Sequence, residues 1–453
     1  MKKSTLVLFA SALLSLGALT SCGPKADVTL TVYNWEDYIN EGLDETGKKV
    51  DDSTIELFEK YYEEQTGKTI KVNYKTFSTN EEMYTKLSKK IIKAALCCPS
   101  DYMIQKMQGE GMLESFGFDA ATKKYAEGLD NVNDYLSPYI KDLFAKNQFS
   151  DFAVPYFWGT MGYTYNPEYV SQEQVSTWDF QWNPGNDLKG NSLKKKITIK
   201  DSVRDTYFTA VMHVYKDETT ALKAQYEVGS LTPEAYNTAL SEIFNRHDAD
   251  TLKKVETALN QLTDNVILEV DEGKSDMVLG KIYANLAWSG DSVFSMDEAE
   301  EKEVELAYEV PEEGSNVWFD GWCMPKGANK EASLMFLDFL ADPEIAVMNM
   351  DAVGYTSPIA GQAIWDNLCD WYEADDDVAE EDCEEVDLSY FFEGTLDAGK
   401  EAKVMIAKED RGRQFDAQYP TEDVITRCAI MRDFGKEGND ALYKMWNKFT
   451  ASF

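Results

Sequence analysis

Val28, Leu30 and Val32 alternate with Thr29 and Thr31, the two-residue period of a strand with one buried face. After a loop, Ser53 and Glu56 form a capping box ahead of a helix that carries Ile55, Phe58 and Tyr62 on one face, and Gly67 stops it. Ile70, Val72 and Tyr74 alternate again. Thr79 and Glu82 then cap a second helix with Met83, Leu87 and Ile91 on one side, and the apolar run at 95–98 ends at Pro99 and Ser100. Strand, helix, strand, helix, strand predicts a mostly parallel sheet with right-handed crossovers. In such sheets, loops and helix N-termini gather beyond the carboxyl ends of the strands. The ends at Asn34 and Trp35, at Phe77 and Ser78, and at Pro99 and Ser100 are therefore expected to border a ligand site.

The pattern changes at VPYFWGTMGYTYN, residues 154–166, where closely spaced aromatics and glycines open a new series of elements. Residues 216–265 are polar and periodic, and read as solvated helical hairpins inserted in this second unit. The segment EADDDVAEEDCEEVD at 373–387 holds ten carboxylates. It lacks the glycine and the spacing of a calcium loop and reads as a solvated surface insertion.

The first residues have a basic start at Lys2 and Lys3, followed by an apolar run from Leu6 to Leu19 that is too short to span a bilayer. Ending in Leu19-Thr20-Ser21-Cys22, residues 1–22 read as an export signal with a bacterial lipobox, in which the Cys22 thiol accepts the lipid and becomes the new N-terminus. The mature chain is expected to be exported and lipid-anchored on the outer face of the cytoplasmic membrane, at the cell surface or in a periplasm. Its remaining length exceeds one core and predicts two lobes. With 81 acidic against 44 basic residues the net charge is −37, which argues against a nucleic-acid partner and favours a cationic ligand. The other six cysteines show no metal spacing, and with only two histidines, His213 and His247, neither a metal site nor a histidine-based catalytic site is expected. Disulfides and buried free thiols both remain open.

Five segments set aromatic rings beside carboxylates or hydroxyls: YNWEDYI at 33–39, CPSDYMIQKM at 98–107, WSGDS at 288–292, VWFDGWCMP at 317–325 and VGYTSP at 353–358. With VPYFWGTMGYTYN and DSVRD at 201–205, they occur in an order that resembles the extracytoplasmic spermidine/putrescine-binding proteins of ATP-driven polyamine importers. The likeness runs from about residue 28 to 360. It departs at Gly109, at Glu36, where members often carry a small hydroxyl residue, and at Ala94 and Ala95, where an acid is common.

The resemblance implies an α/β, two-lobed periplasmic-binding-protein-like fold of type II, each lobe a mostly parallel sheet flanked by helices, with the ligand between them. It places 27–150 with 312–360 in lobe 1 and 151–311 with 361–453 in lobe 2. The implied function is a monomeric, non-enzymatic binding protein that captures putrescine or spermidine and delivers it to the permease of an ABC transporter, with no cofactor. Trp35, Tyr38, Trp288 and Trp318 are implied as walls, joined by Tyr102 and Tyr355. Asp37, Asp205, Asp291 and Asp320 are implied partners of ammonium groups. Ser100 either contacts an amine or caps the next helix, and the choice among Asp201, Ser202 and Asp205 stays open. Only one of Glu36 and Asp37 is expected to face the ligand, because neighbours on an extended chain point oppositely, and the resemblance favours Asp37. The ligand chemistry fits these residues: burying an ammonium requires an acceptor in place of water, and aromatic faces cover methylenes while attracting the charge. A glycosidase with two carboxylates, or a binder of a sugar or another cation, are the competing readings.

Overall fold

The computed structural model describes residues 26–43, 47–270, 272–375 and 377–453. The export signal and Cys22 lie outside the described residues. A parallel three-stranded sheet is formed by β1 (Val28–Trp35), β2 (Ile70–Phe77) and β3 (Leu96–Cys97) in the order β2-β1-β3. The helix Thr54–Thr66 connects the first two strands. Its capping box at Ser53 and Glu56 is formed, and Gly67 closes it at φ 67°, a conformation that lacks a steric penalty only for glycine. The helix Asn80–Ser88 begins with the Thr79 hydroxyl accepting from the Glu82 amide. It ends before Ile91, which is exposed rather than on the expected apolar face.

The larger sheet contains β4 (Val154–Tyr165), β5 (Ile197–Lys200), β6 (Val266–Glu269), β7 (Ala284–Trp288), β8 (Ala307–Glu309) and β9 (Ser315–Trp322). A short antiparallel ribbon is made by β10 (Cys383–Asp387) and β11 (Lys403–Ala407), and β12 (Cys428–Ala429) joins the large sheet at β9. Every residue of β4 and of β9 is buried, which explains why both read as continuous apolar and aromatic runs. The first half of β4 pairs with β9 and the second half with β7 and β8. Accordingly, Val154–Trp158 enter one apolar cluster and Met161–Tyr165 another. Isolated bridges between Cys97 and Cys323 and between Ser100 and Asp320 bring the carboxyl end of β3 against β9.

The first cluster also collects Ile364, Trp365, Phe391, Phe392, Phe415 and Tyr419, from a segment expected in lobe 2; the second takes up the chain again at Ala429. Residues 216–265 are less solvated than expected. Only the helix Lys216–Glu227 is mostly polar on all sides, whereas Pro233–Phe244 buries Tyr236, Leu240, Ile243 and Phe244, and Ala249–Leu259 buries Val255, Ala258 and Leu259. Their charged residues lie on the outer face of amphipathic helices. The six described cysteines are free thiols.

Candidate functional site

Asp320 lies near the end of β9, where the bridge to Ser100 holds it at the carboxyl edge of the first sheet. The Tyr38 hydroxyl donates to Asp320 Oδ2 at 2.7 Å, and the Ser100 hydroxyl to Oδ1 at 2.6 Å. Ser100 is the residue before the helix Asp101–Gly109, but its side chain makes no cap bond; its hydroxyl is engaged by the Asp320 carboxylate instead, a role that neither expected alternative named. Asn80 orients Ser100 by donating to its hydroxyl and accepting from its amide. Burial raises the Asp320 carboxyl to about 6 against the opposing effect of the two hydroxyls, and neighbouring Asp205 pushes the same way as burial; none of these causes is a cation. Around the carboxylate, the Tyr38 ring stands edge-on to Tyr355 at 5.2 Å and to Phe157 at 5.0 Å, and Tyr355 is edge-on to Trp318 at 5.5 Å. The Trp318 indole is fixed by donating to the Thr160 carbonyl.

Tyr355 links this group to a second one by donating to Asp291 Oδ1 at 2.7 Å. Asp291 lies in the first turn of the helix Ser289–Glu300, which starts where β7 ends at Trp288. The buried ammonium of Lys200 sits 4.7 Å from the centre of the Trp288 ring, 3.0 Å from Glu269 Oε1 and 3.9 Å from Asp291 Oδ2. Asp205 is buried, accepts from the Ser202 hydroxyl at 2.5 Å and is raised by burial, against the lowering effects of Ser202, Lys200, Trp288 and Arg204. Ser202 therefore orients Asp205.

Gly290 of the WSGD motif has a steric role. A Cβ at this position would lie 2.4 Å from the Tyr355 ring, so alanine must displace the ring that holds Asp291. Gly290→Ala is expected to cost about 1–3 kcal/mol of stability in urea unfolding, and an unchanged midpoint would refute this packing role.

Two expected residues, Trp35 and Asp37, lie apart from these two groups. Trp35 packs on Phe77 at 4.5 Å, and its buried indole N–H has no hydrogen-bond partner among the described residues. Asp37 adopts φ 49°, so the chain turns there and the alternation expected of an extended strand does not apply. Both Glu36 and Asp37 are exposed, and Glu36 accepts a bond from Ser78 instead. Tyr102 adjoins the Asp320 group: its hydroxyl accepts from the Asn80 amide that also holds Ser100, and donates to Glu81; its ring lies under Arg204 at 4.8 Å. Sequence reasoning missed Lys200, Glu269, Arg204 and Asp101. Asp101 is buried and adjacent to Ser100, with one carboxylate oxygen unbonded among the described residues; burial pushes it up, and Arg204 opposes that shift. A lysine closing the apolar strand ITIK was the visible signal for Lys200.

Residues 56–377 match the family described as bacterial extracellular solute-binding protein. The spermidine/putrescine-binding periplasmic protein of Salmonella typhimurium is 26% identical over 363 residues, covering 79% of this chain and 85% of its own. A putrescine-binding periplasmic protein of Pseudomonas aeruginosa is 28% identical over 380 residues, covering 79% and 88%. Among solved structures, the spermidine/putrescine ABC transporter substrate-binding protein of Streptococcus pneumoniae superposes with a TM-score of 0.57 at 24% identity, covering 94% of this chain and 99% of that one. A Treponema pallidum lipoprotein gives 0.59 at 17%, covering 93% and 99%. These likenesses identify the α/β architecture as the two-lobed solute-binding fold. With the family matched across most of its length, the chain belongs to the bacterial extracellular solute-binding proteins.

Proposed function

We propose that this protein captures a polyamine, putrescine or spermidine, outside the membrane and delivers it to an ABC permease. The observation that carries this reading is Asp320, a buried carboxylate bonded to two neutral hydroxyls and bordered by Tyr38, Trp318 and Tyr355. A buried carboxylate is costly without a counter-charge, and rings around it favour an alkylammonium over a hydrated metal ion. The relatives named for spermidine and putrescine support the same ligand class.

In this reading Asp320 and Asp205 meet the ammonium groups, while Tyr38, Trp318, Tyr355 and Trp288 cover the methylenes. Asp37 belongs to the outer approach, Tyr102 borders the group through Asn80, and Ser100 orients Asp320. Contacts from both lobes favour the closed form, which the permease recognises. The protein acts as a monomer, tethered through a lipid on Cys22, and performs no catalysis.

Isothermal titration of the purified chain with putrescine, spermidine, maltose and thiamine tests the assignment. Saturable heat with at least one polyamine and none with the sugar is expected. Silence with both polyamines would refute it.

A further inference from the structure

Lys200 is fully buried at the end of β5, and its ammonium has a complete set of neighbours. It donates to the Val270 carbonyl at 2.8 Å, lies at ion-pair distance from Glu269 and Asp291, and faces the Trp288 ring. Lys274 approaches the other oxygen of Asp291 at 3.4 Å. An ammonium held between an indole face and carboxylates is the arrangement that a polyamine would supply from outside. At this end of the site, the chain supplies it from within.

The charges divide accordingly. Glu269 and Asp291 are matched by Lys200 and Lys274. Asp320 has only hydroxyl donors, and Asp205, bonded to the Ser202 hydroxyl, lies between it and the Lys200 and Trp288 end; Arg204 donates to the Arg432 carbonyl and lies over Tyr102 and Phe434. Two carboxylates, Asp320 and Asp205, are thus without an ion-pair partner among the described residues, and one face of Trp288 is occupied by the Lys200 ammonium.

Resting on the polyamine reading, we propose that Lys200 is a specificity-determining residue: it occupies one ammonium position of the site and restricts the ligand to a diamine. A triamine has to place its additional charge beside a fixed lysine, at a distance where like charges repel strongly in a dry site. A diamine needs only Asp320 and Asp205. This assigns the putrescine preference to a lysine on a strand, outside the motifs that carry the aromatic rings and acids.

Calorimetry with putrescine and spermidine on the wild-type chain and on Lys200→Met is the test. Wild type is expected to bind putrescine at least tenfold more tightly than spermidine, and Lys200→Met to raise the spermidine-to-putrescine affinity ratio at least tenfold. Removing one member of a buried ion pair leaves its partner uncompensated, so Lys200→Met with Glu269→Gln provides a second variant without that penalty. The double variant vacates the same face of Trp288 and is expected to move the ratio in the same direction. Spermidine binding more tightly than putrescine to wild type overturns the proposal, and so do folded variants whose ratio stays within twofold of wild type. Absence of any polyamine binding to wild type is a different result, one that refutes the function itself.

Discussion

Asp320→Asn is expected to weaken putrescine binding at least about thirtyfold in titration calorimetry, while the protein remains folded. Asparagine keeps the shape of the side chain and one carbonyl acceptor for Tyr38 or Ser100, so the local hydrogen bonds survive in part. What it loses is the negative charge in a place sealed from water. Truncating one member of a buried, hydrogen-bonded charge pair costs about 2–5 kcal/mol, and about 1.4 kcal/mol is a tenfold change in affinity. An affinity within threefold of wild type would remove Asp320 from the site.

The same carboxylate gives the binding a pH dependence with a definite sign. In the unliganded protein Asp320 titrates near 6, raised chiefly by burial from an ordinary value of 3.8. A bound ammonium favours the ionised form, so ligand competes with protons below that point. Affinity is expected to be flat above pH 7 and to fall about tenfold by pH 5, one unit below the titration point, with proton release on binding there. Without ligand, linkage runs the other way. The folded state holds this proton more tightly than the unfolded chain, so this group's contribution to stability falls as pH rises from about 4 to about 6. Asp320→Asn should remove the contribution of Asp320 to both dependences and leave that of Asp205, which burial also raises.

The second large effect concerns stability. Trp158→Ala is expected to destabilise the fold by about 3–5 kcal/mol, the range for removing a fully buried large aromatic. Trp158 is completely inaccessible in the middle of β4, where it stacks on Phe391 at 5.5 Å and meets Tyr139 at 5.4 Å. Its amide also donates to the Thr356 carbonyl, one residue after Tyr355 of the site. The ring therefore joins β4, the helix Pro138–Lys146 and the short helix Ser389–Phe392 in one contact. Urea unfolding monitored by circular dichroism measures the loss. A decrease below about 1 kcal/mol would show that neighbouring rings collapse into the space, the relaxation that limits cavity costs.

Much of the local structure was legible because its causes are local. The capping box at Ser53 and Glu56, the left-handed stop at Gly67 and the alternation in β1 and β2 each depend on residues within one turn or strand. Ile91 departs from this pattern: periodicity alone extends the helix to it, but the chain leaves the helix after Ser88 and the side chain reaches solvent. Asp37 fails for a related reason. Alternation holds only while the backbone is extended, and a left-handed residue at that position turns both Glu36 and Asp37 outward.

By itself, the sequence determined the α/β class and the order of the first strands and helices, and it pointed to a cationic ligand through rings and acids that recur in a fixed order along the chain. Tertiary structure alone decided which acids are already matched. Asp291 and Asp320 look alike in their motifs, yet one faces Lys200 and Lys274 and the other only hydroxyls. That difference arises because β5 delivers a lysine beside β7, whereas β9 is bridged to Ser100. Charge compensation in a dry interior depends on distances of a few ångströms between segments far apart in the chain, and no local pattern encodes them.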